Sequence, residues 1–159
     1  MSIEKQGLLE MFAGMQHGLT QILALLEAEA EALKMRDSQE LERIALSKQE
    51  EAGILNELST RQEAFLRAQG FSPDRAGMEA FLNQPQWLET EFLQSRWAEV
   101  IRLSSACRRQ NEINGAYIGL LRPYVETLLD VLHGPTSEGT YGPDGAKRRG
   151  PRAGRSFSV

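Results

Sequence analysis

The chain has 159 residues, 41% hydrophobic and 25% charged, with a formal net charge of −4, the size and composition of a soluble domain with a single core. No stretch approaches the roughly 18 consecutive apolar residues of a membrane span, and one cysteine excludes a disulfide framework. Residues 134–159 carry Lys147, Arg148, Arg149, Arg152 and Arg155 against Glu138 and Asp144, whereas residues 1–133 hold 20 acidic and 13 basic side chains, an imbalance that argues against a nucleic-acid-binding body.

The start, Met1-Ser2-Ile3-Glu4-Lys5, lacks the basic, apolar, then small-residue order of a signal peptide. With the lone cysteine, this makes the reducing cytoplasm the expected location. A first helical pattern follows from about Ile3 to Met35. Leu8, Phe12, Met15, Leu19, Ile22, Leu26 and Leu33 fall on one stripe, with Glu29 its only polar member. Leu23 and Leu25 widen the apolar face, as in a bundle rather than a two-stranded coil. Glu27, Glu29 and Glu31 together read as a solvated face. Gly14 and Gly18 weaken the helix, each by about 1 kcal/mol relative to alanine if exposed.

Arg36-Asp37 marks a reversal. Asp37 and Glu40 have capping-box spacing, with each side chain expected to reach the other's backbone amide. A second helix then runs from Ser38 to about Gln69 through Leu41, Ile44, Ala52, Leu55, Leu58 and Phe65, with Lys48 inside its stripe and Gln62 near its end. Gly70 is placed to terminate it. Ser72-Pro73 reads as an N-cap with proline at the first helical position, opening a short third helix with Met78, Phe81 and Leu82 on its apolar side. Asn83-Gln84-Pro85 ends that helix, and Trp87 opens the last and longest one.

The final helix holds a seam at alternating spacings of four and three: Leu93, Trp97, Val100, Ser104, Cys107, Asn111, Asn114, Ile118, Leu121, Val125, Leu128 and Leu132. This is a coiled-coil-like pattern, interrupted by the polar pair Asn111 and Asn114 with Gly115 behind it. Pro123 removes a backbone bond and predicts a kink or break. After His133, glycines, prolines and basic residues replace the apolar ones, a composition that cannot offset chain entropy. The expected fold is therefore an all-α, coiled-coil-like antiparallel bundle of three long helices plus one short helix over residues 1–133. A disordered tail, 134–159, follows.

Helices one and two would each span about 50 Å and the last nearly 70 Å. About a dozen residues near Ile118 to Leu132 would then lie beyond the hairpin turn, carrying Ile118, Leu121, Val125, Leu128, Leu129 and Leu132. Either this piece folds back at Pro123 to cap the bundle, or a partner covers it. Partner binding is the favoured expectation, because no unused apolar segment remains to cover the stripe.

Catalysis finds little support. His17 and His133 lie near opposite ends of the helical region, with no cysteine or paired acid at a useful spacing. Cys107 on the seam reads as a small buried hydrophobe. Glu-x-x-His pairs, phosphate loops and dinucleotide fingerprints are absent from the sequence, so neither an enzymatic activity nor a cofactor is expected. Asn111 and Asn114, at i and i+3, share a face and either set bundle register or bond a partner's backbone. The cluster Lys147–Arg155 reads as a solubilising tail, with nucleic-acid or phospholipid contact the minor alternative.

Three local patterns resemble the FlgN family of flagellar export chaperones: Arg36-Asp37 followed by Leu41, Ile44 and Lys48; Asn111-x-x-Asn114-Gly115; and Thr140-Tyr141-Gly142-x-Asp144-Gly145. Their order and spacing carry the resemblance over roughly residues 8–145. It implies a cytoplasmic chaperone that binds the C-terminal segments of the hook–filament junction proteins FlgK and FlgL. Such a chaperone keeps its clients unassembled and delivers them to the export gate. By position, the C-terminal part of the last helix would bind the client, and Tyr141 would contact the export-gate protein FlhA. No nucleic-acid contact or membrane insertion is expected. The alternative is a structural coiled-coil or adaptor protein that self-associates through the Ile118–Leu132 stripe as a homo-oligomer.

Overall fold

The computed structural model describes residues 2–88 and 91–133, with side-chain surroundings for 2–87 and 91–120. Among these residues every regular element is helical: α1 (Ile3–Met35), α2 (Ser38–Ala68), α3 (Arg75–Leu82), α4 (Pro85–Leu88) and α5 (Glu91–His133). The three long helices pack on one another, and the expected all-α bundle is what the chain forms. The chain divides into two compact units, Met1–Gly115 and Ala116–Val159.

In the first unit, α1 begins at Ser2, whose hydroxyl accepts from the Lys5 amide at 3.3 Å. It ends where Arg36 adopts a left-handed φ of 53°. There the Arg36 amide donates to the Leu33 carbonyl and the Asp37 amide to the Ala32 carbonyl, the Schellman pattern with arginine where glycine is usual. Asp37 then caps α2 by accepting from the Glu40 amide at 3.0 Å. Only this half of the expected capping box forms. The Asp37 amide is already committed to α1, and the Glu40 carboxylate pairs with Arg43 instead. The same Schellman closure ends α2, where Gly70 at φ 81° donates to Arg67 and Phe71 donates to Leu66. Glycine there avoids the Cβ strain of that conformation.

Helix α2 returns antiparallel along α1, with Leu58 over Gly14 and Leu55 over Gly18. A Cβ on buried Gly18 would lie 2.8 Å from Leu55 Cδ2. Both glycines therefore admit a leucine of α2, which offsets their poor helix propensity.

The entry to α3 differs from the Ser72-Pro73 reading. Asp74 is the N-cap and the helix starts at Arg75. The Asp74 carboxylate accepts from the Gly77 amide at 2.9 Å and from the Ser72 hydroxyl at 2.7 Å, so Asp74 takes the capping position and Ser72 supports it. Trp87 does not open the last helix either. It lies in the single turn α4, after Pro85 as its first residue, and α5 begins at Glu91. From there α5 runs beside α1 in the same direction. Arg96 Nη1 donates to Gln16 Oε1 at 3.0 Å, the Cys107 thiol to the Leu19 carbonyl at 3.4 Å, and Asn114 to the Leu26 carbonyl at 2.8 Å.

The core has two parts. At the end where α3 and α4 close the bundle, Leu8, Phe12, Met15, Leu66, Met78, Phe81, Leu82, Trp87, Leu93, Trp97 and Val100 form one buried cluster. Phe81 is its hub, edge-on to Phe65 and Phe71 and tilted against Trp87, with centroids 5.2–5.6 Å apart. Each such pair adds about 0.5–1.5 kcal/mol to the area it buries. Farther along, the core narrows to Ile22, Leu26 and Cys107, flanked by Leu19, Leu23 and Leu55.

In the second unit, α5 continues from Ala116 to His133 as unbroken helix. It passes through Pro123, so of the expected kink or break the break is absent.

Candidate functional site

The seam of α5 is buried at Leu93, Trp97, Val100 and Cys107, with Leu103 beside it. Ser104 and Asn111 are half-buried. Burial pushes the Cys107 thiol up from its ordinary range, and the nearby Glu27 carboxylate adds to the shift. The cysteine is thus an apolar packing group with a weak hydrogen bond and not an activated nucleophile.

Past Cys107 the seam turns polar. Asn114 is 2% exposed and Glu29 of α1 is 8% exposed. The Asn114 amide donates to the Leu26 carbonyl and, at 2.9 Å, to Glu29 Oε1. Its own oxygen accepts from Gln110 Nε2 at 3.0 Å. The other Glu29 oxygen pairs with Lys48 Nζ of α2 at 2.5 Å. One buried carboxylate therefore joins all three long helices.

Reading Glu29 with the solvated acids was wrong: Glu27 and Glu31 are exposed, but Glu29 faces inward. Its signal was present, since Glu29, Lys48 and Asn114 are each polar residues set in a largely apolar stripe. What the sequence alone did not supply was that the three stand at one level. Asn111 takes no part in the cluster.

The six residues proposed for client contact fall differently. Ile118 is 45% exposed, and its neighbour Leu120, not among the six, is 71% exposed. Leu121, Val125, Leu128, Leu129 and Leu132 lie within helix α5, but their side chains are outside the described residues, as is Tyr141 altogether. Ile113, one heptad before Leu120, is also exposed. Sequence reasoning passed over Ile113 and Leu120 because they lie off the seam; their spacing around Tyr117 was the available signal.

Among the described residues no helix is long and apolar enough to cross a membrane. Comparison with curated proteins and with solved structures gave no match. The family described as FlgN protein matches residues 1–149, a span that takes in the hairpin, the Asn114 cluster, all of α5 and Tyr141. The chain belongs to the FlgN family, whose members are flagellar export chaperones.

Proposed function

We propose that this protein is a cytoplasmic chaperone for the hook–filament junction proteins FlgK and FlgL. It binds their amphipathic C-terminal segments, keeps them unassembled and delivers them to FlhA at the export gate. The client-binding residues are Ile118, Leu121, Val125, Leu128, Leu129 and Leu132, on the helical part of a domain spanning 1–133. Tyr141, in the tail 134–159, is the gate-docking residue. The observation that carries the reading is exposed apolar surface on α5, at Ile118 and Leu120, in a chain of the FlgN family. Helix-in-groove recognition needs such a face and no nucleotide.

The test is solution mass and binding, with and without a FlgK C-terminal peptide. Leu121→Asp or Leu128→Asp should abolish peptide binding at unchanged helicity, because a charge enters an apolar contact. Tyr141→Ala should keep client affinity and weaken binding to the FlhA cytoplasmic domain. A stable homodimer that ignores the peptide supports the self-associating alternative and sinks the chaperone assignment. Loss of the client in Tyr141→Ala would refute the separation into two surfaces.

A further inference from the structure

We propose that Glu29 is a positioning residue that latches the middle of α5, residues 104–115, onto the α1–α2 hairpin. At its first turns α5 is held by bulk, with Leu93, Trp97 and Val100 in the large cluster and Trp97 tilted on Phe12 at 5.4 Å. The next seam positions, Ser104, Cys107 and Asn111, are small or polar, so the apolar contribution per turn falls. The compact unit nevertheless extends to Gly115, one residue past Asn114.

At that level the contacts are polar: Asn114 donates to the Leu26 carbonyl and to Glu29, and among the described residues Glu29 alone carries the link on to α2. Its two carboxylate oxygens take one partner each, Asn114 from α5 and Lys48 from α2. Buried arrangements of this kind are weak sources of stability compared with apolar side chains of similar volume, and their best-attested use is to select one packing. Glu29 does that here by matching one position of α5 to one position on each partner helix. The inference rests on geometry within the first unit and stands whether or not the chain binds FlgK or FlgL.

Cys107 is a built-in reporter. It is the sole cysteine, is buried, and lies two turns before Asn114. The full-length protein would be treated with a thiol-reactive dye, and amide exchange followed residue by residue. Replacing the cluster together, Glu29→Leu with Lys48→Leu and Asn114→Leu, should leave the melting temperature no lower than wild type. Cys107 modification should nonetheless accelerate by about tenfold or more, through local opening. Glu29→Gln keeps an oxygen for Asn114 but loses the acceptor for Lys48, so it should accelerate modification less than the triple variant does. A residue that only adds stability predicts the opposite, with reactivity following melting temperature. Wild-type protection in the triple variant, or equal acceleration in Glu29→Gln, overturns the latch. Should the triple variant fail to fold, Asn114→Ala decides. Faster exchange confined to residues 104–115 supports the proposal, and a uniform increase that includes Phe12 and Trp97 refutes it.

Discussion

Gly77 sits in the first turn of α3, under the loop that carries Ser72. A Cβ built there would lie 1.7 Å from the Ser72 carbonyl oxygen and 2.8 Å from its hydroxyl oxygen. The first distance is about half the roughly 3.5 Å at which non-bonded atoms attract. The obstacle is backbone, so no rotamer change relieves it, and Gly77→Ala must move the loop. Moving it gives up the Asp74 cap on the Gly77 amide, at about 1 kcal/mol. It also shifts Phe71 and Met78 against the aromatic cluster, at about 1–3 kcal/mol for forced repacking. Less a few tenths returned by alanine's helix propensity, the net loss is about 1.5–3.5 kcal/mol. For a chain of this size that lowers the melting temperature by roughly 3–14 °C. The assay is thermal and urea unfolding followed at 222 nm, with Gly7→Ala and Gly53→Ala as matched controls. Both control sites are helical, with nothing within 4 Å of the added carbon, and each control should gain about 0.5–1 kcal/mol. If Gly77→Ala melts with the wild type, or the controls fall as far, the steric reasoning fails.

Phe12→Ala removes a fully buried ring that touches Trp97 and should cost about 3–5 kcal/mol. An equilibrium loss under about 1 kcal/mol would mean the cluster collapses freely around the gap. The raised Cys107 titration predicts slow alkylation at neutral pH and a sharp rise on unfolding; a rate equal to that of an unfolded cysteine peptide would contradict it. Below neutrality, Asp74 is held below the usual carboxylate range by the Ser72 hydroxyl and then the Gly77 amide. Hydrogen bonds from Arg43 and Arg102 likewise lower Glu40 and Glu99. A depressed folded-state carboxyl means that the unfolded chain binds more protons, so this stability is present above the ordinary range and is lost as pH falls through the depressed values. Melting temperature measured between about pH 6 and pH 2 should therefore drop less steeply in Asp74→Asn, and an unchanged slope would exclude the cap as a contributor.

The long helices were legible because burial repeats in them at helical spacing over many turns. Leu8, Phe12, Met15, Ile22 and Leu26 all face inward as their period requires, and Gly70 ends α2 where its conformational freedom predicts. The misreadings share a cause. Ser72 and Asp74 are both plausible caps two residues apart, and what separates them is the close approach of Ser72 to Gly77, a contact not written in either residue. Glu40 had to choose between the Asp37 amide and Arg43, and the α1 closure had already taken the amide. Glu29 was the largest case. One residue carries both an acidic side chain, suggesting solvent, and a place on the apolar stripe, suggesting burial. Only the arrival of Lys48 and Asn114 at the same height resolves the conflict. The apolar run following Asn114 was legible from helical spacing alone, because Ile118, Leu121, Val125, Leu128 and Leu132 continue the seam.

Both tryptophans, Trp87 and Trp97, belong to the large cluster at the α3–α4 end, while the level of Asn114 and Glu29 has no indole near it in the contacts that build it. Tryptophan fluorescence of this protein is therefore a one-ended gauge. It registers the solvation of the ring-filled end and is blind to fraying at the Glu29 level. Circular dichroism averages over every turn of α1, α2 and α5. If the bundle opens from its polar level first, ellipticity will decline before emission shifts, and the gap between the two curves measures how far cooperativity extends along the helices.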